Sequence, residues 1–358
     1  MKKICSTLGS LIIGSTLLTA QVATFDNEAI ARDFVSNLEL YSKAYIAPVI
    51  GTYSVSQVAS NQISGEVLKP FGISLGISAS ATYLNSQDLI FDFNTSGFSD
   101  QLTLSNPNNP VLPTILGGST TKELVYTVEG QSTLPGGGTF TAAQNISALD
   151  GLTSPGDIIP AGAFNFGIGL PQNFEFYVRA LPTIDFSGVD NYVFGGGVKH
   201  MISSYFQEDE SPFHMSAAVF YNTTKFTLSP EKFLDGSKQA IIFTDKVTSF
   251  ELIASYDKKF FSFFGLIGYY SGDSEFSIDG TYTYEVQRED VPGSITVQEV
   301  FSVENPVSIK SSISGIHTSI GGSLKLAQYV SATVAYHVAK NDSLALNLRF
   351  YINNGDDD

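Results

Sequence analysis

The sequence predicts an all-β chain: a transmembrane antiparallel β-barrel of roughly ten strands, with ten to fourteen as the range, and an N-terminal amphipathic helix as its plug. Three observations predict it. Apolar residues recur at every second position in segment after segment. No apolar run beyond the first twenty residues approaches the roughly 18 that a membrane-spanning helix needs. Charged residues make up only 15% of the chain, yet Phe and Tyr are plentiful and Trp is absent. Apolar side chains placed one in two, with polar ones between, reconcile the last two facts, because each strand then has one apolar and one polar face.

Taken from the N-terminus, Met1-Lys2-Lys3 is a basic start, residues 4–18 are apolar and small, and Thr19-Ala20 precedes Gln21. This pattern predicts a cleaved signal peptide over 1–20, with a cut after Ala23 as the alternative, and export to the cell outer membrane. Cys5 is the one cysteine and lies inside that segment. The exported chain therefore has neither a disulfide framework nor a cysteine metal site. Without Lys2 and Lys3 it carries 17 basic residues against 35 acidic ones. That balance excludes nucleic acid, whose binding needs clustered Lys and Arg. Acidic loops would instead meet lipopolysaccharide phosphates through divalent cations, with outer-membrane lipid as the surrounding partner.

Residues 21–70 form the plug segment. Within it, 26–48 reads as a helix: Asp26 is a candidate N-cap, Glu28 suits the first turn, and Ile30, Phe34, Leu38, Tyr41 and Tyr45 recur at helical spacing. Arg32, Asp33, Glu39 and Lys43 take the other side, and Pro48 is expected to end the pattern. The barrel is assigned to 71–352, because the period changes from 3.6 to 2 at Phe71. Ile73, Leu75, Ile77, Ala79, Ala81 and Tyr83 alternate there with Ser74, Gly76, Ser78, Ser80 and Thr82. Strands of a soluble sandwich run about five or six residues, whereas a tilted membrane strand takes about nine to eleven.

The same alternation marks 174–179, 213–222, 250–256, 316–326, 330–338 and 344–351. Counting back from a descending last strand, Lys340-Asn341-Asp342 is an external turn and Ala327-Gln328 a periplasmic one. Residues 288–304 become an external loop, 257–259 a periplasmic turn, 227–245 an external loop and 207–212 a periplasmic turn. This count requires 260–287 to be one very long strand, bulged or bent around Gly272-Asp273-Ser274 and projecting beyond the membrane, with aromatics on both faces of its first part. Residues 87–161 mix short strand-like pieces at 89–93 and 123–128 with Asn, Pro and Gly clusters, and read as a long external loop. Residues 353–358 are an acidic tail.

Several motifs carry a resemblance: Tyr45-Ile46-Ala47-Pro48, Leu112-Pro113-Thr114 with Gly117, Gly167-Ile168-Gly169-Leu170-Pro171 leading to Val178-Arg179-Ala180-Leu181-Pro182, and Gly195-Gly196-Gly197-Val198-Lys199-His200. In these the chain resembles a family of Gram-negative outer-membrane barrel proteins known only as a domain of unknown function. The resemblance spans nearly the whole exported chain and implies a plug-like segment before a barrel. In plan it is similar to the long-chain fatty-acid transporters of the outer membrane. None of the motifs is specific to a chemistry.

On the strand phases, the charged and imidazole groups predicted to face the lumen are Glu175, Arg179, Lys199, His214, Glu251, His317, Lys325, His337 and Arg349. Their first role would be a polar network holding barrel and plug together, because inward charges need partners. Their second would be to receive an anionic head group. No catalytic residue, metal motif or cofactor site is predicted; His317 with Ser319 is the nearest approach to a nucleophile and its base. Gly195–Gly197 and 135–138 are not phosphate loops, and mark instead a bend or a close approach of the plug. The function expected is a plugged channel, or a binding barrel, for a small and hydrophobic solute. The alternatives are a non-conducting envelope scaffold or surface adhesin and, behind it, a barrel lipid hydrolase.

Overall fold

The alternating segments join into ten paired strands in the computed structural model. It describes residues 23–24, 27–61, 64–132, 139–151, 157–186, 189–206, 211–228, 236–288, 297–327 and 329–352. The predicted signal peptide, the proposed cap Asp26 and the acidic tail lie outside the described residues. The strands are β1 (Ile73–Tyr83), β2 (Ile158–Leu170), β3 (Phe174–Phe186), β4 (Val189–Met201), β5 (Phe213–Leu228), β6 (Gly236–Asp257), β7 (Phe261–Arg288), β8 (Val307–Ala327), β9 (Val330–Val338) and β10 (Ser343–Ile352). Each pairs antiparallel with the next, and β10 pairs with β1, placing Leu344 opposite Ala81. The result is a closed ten-stranded barrel. Closure leaves no unpaired sheet edge, which a barrel in hydrocarbon requires.

The two faces divide as the alternation demands. In β1 the small polar side chains Ser74, Ser78, Ser80 and Thr82 are buried inside, while Leu75, Ile77 and Tyr83 are exposed outside. The outer face of β7 carries Phe261, Phe263, Ile267 and Tyr269 and then turns polar at Ser271, Asp273 and Glu275. In β8 the matching series runs from Leu326 and Leu324 to Ile320 and Ile316 before Ser314, Ser312 and Lys310. About nine residues of tilted strand separate these limits, consistent with an apolar band about 25 Å tall. The aromatics of β7 thus fall on both faces for different reasons: Phe261, Phe263 and Tyr269 form the outer band, while Phe264 and Tyr270 are buried within.

One end of the barrel carries short connections at 171–173 and 258–260, and is called the turn end. At the opposite, loop end the wall is uneven. Strands β5 to β8 continue well past the apolar band, and β7 alone has 28 residues. This tall wall corrects three expectations. Residues 236–245, read as loop, belong to β6 and carry a register shift between Ser237 and Ala240. Of the bulge or bend expected at 272–274, the bulge is absent, since β7 keeps its register through Gly272, Asp273 and Ser274 with both neighbours. Residues Val297–Glu304, inside the predicted loop 288–304, form a further strand on the upper part of β7. Alternation had weakened there because the wall above the band faces water outside and protein inside, not lipid.

Helix α1 (Asn27–Ala59) runs eleven residues past its expected end, with Pro48 inside it. Proline removes one backbone hydrogen bond, which tertiary packing here offsets. From Gly51 to Asn61 every described residue is buried, on all sides of the helix. At about 1.5 Å per residue the helix is roughly 50 Å long, enough to reach from outside the band deep into the lumen. The described residues between 87 and 157 form a folded cap at the loop end in place of an open loop. Strands Glu123–Ser132, Thr139–Ser147 and Leu102–Leu104 pair in one small sheet, joined by Ala23–Thr24, and Ile90–Asp92 pairs with Val111–Pro113.

Candidate functional site

The plug is one helix in two settings. Its first half packs in the largest apolar cluster, which joins Leu38, Tyr41, Ile46 and Ile50 to Leu112 and Leu124 of the cap and to Phe276 and Ile309 of the tall wall. Phe34 meets Tyr126 edge-on at 5.4 Å, and Tyr53 meets Phe226 at 5.2 Å. Polar bonds fix the fit: Tyr45 Oη donates to Asp150 O at 2.7 Å and Tyr126 Oη to Asp33 Oδ2 at 2.9 Å. Burial, and then the Asp33 carboxylate, push the Tyr126 phenol well above its ordinary range, so it stays a donor.

Below Tyr53 polar contacts surround a small apolar cluster, in which Val55 and Val58 pack with Val247 and Tyr270 of the wall. Ser54 Oγ and Ser274 Oγ donate to Asp245 Oδ1 at 2.7 and 2.6 Å, and the Ser56 and Ser80 hydroxyls lie 3.1 Å apart. Gln57 Nε2 donates to Thr224 Oγ1 at 2.6 Å. Small wall residues make this approach feasible. A Cβ at Gly272 would stand 2.6 Å from Ser54 Oγ, so a glycine in β7 lets the helix touch the wall.

The helix ends on charge supplied by the barrel. Its last turn has no basic residue of its own, so the carbonyl dipole is met by Arg179 from β3. Arg179 Nη1 donates to Gln57 O at 2.9 Å and to Asn61 Oδ1 at 3.1 Å. The chain then continues toward the turn end, where Lys199 Nζ donates to Ser64 O at 3.0 Å and also to Glu66 O. Glu175 holds Lys199 at 3.1 Å and Arg349 in a close ion pair, and it accepts from Leu68 N at 3.3 Å. Ser216 donates to Gly65 O, and Ser64 Oγ donates to Asp257 Oδ1 at 2.8 Å. Gly169 is needed where this linker passes the wall, because a Cβ there would come within 2.0 Å of Lys69 O. We call Glu175, Arg179, Lys199 and Arg349 the clasp.

The predicted lumen residues therefore fall into separate groups. The clasp unites four of them. His214 pairs with Asp257 at 2.9 Å near the turn end. Lys325 has the lumen phase but is exposed near the turn-end limit of β8; it is not a buried lumen group. Glu251 is buried and accepts from Ser249 Oγ at 3.1 Å, apart from the clasp. Ser319 bonds His337 Nδ1 at 2.9 Å, so the nearest approach to a nucleophile and its base is with His337 and not with His317. The His317 and His337 rings lie 5.0 Å apart and 34° from parallel, so their nitrogens do not converge on one point. Among the described residues no set of three or more His, Asp or Glu side chains is placed to hold a metal.

Sequence reasoning missed Gln57, Asn61, Ser64 and Asp245. The first three lay beyond the proline taken as the helix end, and Asp245 lay in a stretch read as loop. The polar run Thr52, Ser54, Ser56, Gln57, Ser60 and Asn61 was the available signal, since hydroxyls and amides at these positions match a polar lumen.

The chain matches the model of a family described as "Family of unknown function (DUF6588)" over residues 1–352, and it belongs to that family. No curated protein matches it. Among solved structures, the chain is similar to Ail, the attachment invasion locus protein of Yersinia pestis, at 8% identity, covering 79% of this chain and 100% of that one, TM-score 0.25. It is similar to the outer membrane protease OmpT of Escherichia coli at 9% identity, covering 82% and 100%, TM-score 0.26. It is likewise similar to the translocator domain of the autotransporter NalP from Neisseria meningitidis at 8% identity, covering 91% and 97%, TM-score 0.25. These likenesses do not single out the fatty-acid transporters. The barrel assignment rests on the strand pairing itself.

Proposed function

We propose that this protein is a plugged outer-membrane barrel that admits a small solute when the lower half of α1 leaves the lumen. One observation carries the reading: residues 51–61 fill the lumen, yet outside a small apolar cluster at Val55 and Val58 they and the linker below them are held there by hydroxyls, amides and wall charges. Such contacts exchange readily for water, because a hydrogen bond to solvent is worth nearly as much as one to protein. The short-turn end would face the periplasm and the cap the exterior, following the usual loop asymmetry of these barrels. The cap would then be a fixed lid over the upper helix, and the lower helix the moving part.

The test is single-channel recording of the full chain in planar bilayers, comparing wild type with Arg179→Gln/Lys199→Gln. Loss of the two cations that grip plug carbonyls should raise the open fraction at least tenfold. Silence from both proteins, each folded by heat-modified gel mobility, would instead favour a non-conducting scaffold.

A further inference from the structure

Around the Arg179 guanidinium the lumen holds more buried donors than acceptors. Arg179 is 0% exposed, and only its Nη1 is used; Nε and Nη2 meet no acceptor. Asn165 stands directly opposite Arg179 in the ladder between β2 and β3, and its Nδ2 is also unpartnered. So are Asn61 Nδ2, on the residue that already accepts from Arg179, and the hydroxyl of Tyr177, two positions earlier on the same face. Against these five donor atoms, the unpartnered acceptors are Gln57 Oε1 beside Arg179 and Glu251 Oε2 on the Tyr177 side.

Charge points the same way. Among the described residues no carboxylate forms an ion pair with Arg179. Glu175, two positions away on β3, is already held by Lys199 and Arg349, leaving three cations to one anion in the clasp. A buried cation without a counter-charge is strongly disfavoured. Water would meet single donors, but it brings as many donors as acceptors and no charge.

We propose that Arg179, Asn165, Asn61 and Tyr177 form a binding site for a small monovalent anion of halide size, seated between the tail of the plug and the wall. Two of the four groups that close on the anion come from the wall strand β3, one from β2 and one from the plug tail, so its binding favours the closed barrel. That consequence rests on the plugged-barrel reading; the site itself does not.

The full chain is therefore crystallised or soaked in sodium bromide and the anomalous signal is measured, alongside melting temperature in bromide against gluconate at equal ionic strength. A bromide peak within hydrogen-bond range of Arg179 and Asn165 is expected. So is a higher melting temperature in bromide, abolished by Arg179→Gln and reduced by Asn165→Leu, which keeps the charge. Should Arg179→Gln fail to fold, Asn165→Leu and Tyr177→Phe carry the comparison. Water alone at the guanidinium, or a bromide effect equal in wild type and variants, overturns the proposal. A silent channel that still binds bromide would defeat only the plugged-barrel reading, and a gated channel without bromide would defeat only the anion site.

Discussion

The two halves of α1 are held by different balances of apolar and polar contact. Above Tyr53 the helix is an ordinary amphipathic one: Ile30, Phe34, Leu38 and Tyr41 face an apolar core, and Glu39 and Lys43 face water. Below it, the same helix is enclosed on all sides: Val55 and Val58 keep a small apolar contact with Val247 and Tyr270, and the other partners are Asp245, Ser80, Thr224 and the clasp. Burying apolar surface holds an element regardless of its detailed neighbours, whereas buried polar contacts hold only while every partner is in place. The upper half is thus a fixed anchor and the lower half a conditional one. Such a division permits a plug that leaves the lumen without the cap unfolding.

Removing the charge at the centre of the clasp should break this contrast most sharply. Glu175→Gln strands Lys199 and Arg349 without their shared anion and should lower stability by about 3–5 kcal/mol, read from urea unfolding in lipid. Amide exchange should then quicken at 51–61 while the cap keeps its protection. The converse is Leu124→Ala in the upper core. Its cavity should lower stability by about 2–5 kcal/mol and loosen the cap strands, with exchange at 57–61 unchanged.

Gly272→Ala sharpens the comparison at the boundary, since its methyl would press on Ser54 Oγ. A loss of about 1–3 kcal/mol is expected, recovered in part by Ser54→Gly in the same chain. The smallest effect belongs to the exposed pair Lys310 and Glu275, 3.4 Å apart on the outer surface of the tall wall. Lys310→Ala should change stability by less than about 0.5 kcal/mol and leave both halves of the helix alone.

Much of the barrel was legible because lipid outside and small polar residues inside impose a strict period of two, as in β1 and β9. Legibility failed where that pressure lapses. Above the apolar band, β6 and β7 pack protein on one face and meet water on the other, so residues 236–245 lost their alternation and read as loop. The lower helix was hidden by Pro48, whose local cost is offset by a tertiary enclosure no local pattern reveals. Of the candidate site, strand phase located Glu175, Arg179, Lys199 and Arg349 on the lumen side. Their meeting around Gln57, Asn61 and Ser64 depended on how far the helix descends, which spacing alone could not supply.

The position of the lower helix is open to one direct test. Ser56 and Ser80 lie with their hydroxyls 3.1 Å apart, and cysteines in their place are near disulfide geometry. In the full-length Ser56→Cys/Ser80→Cys chain, with Cys5 replaced by Ser, the account predicts spontaneous formation of that disulfide, channels silent while it is oxidised, and openings restored by reductant. Two cysteines that stay reduced and react freely with maleimide in the folded protein, or conductance that ignores the disulfide, would contradict it.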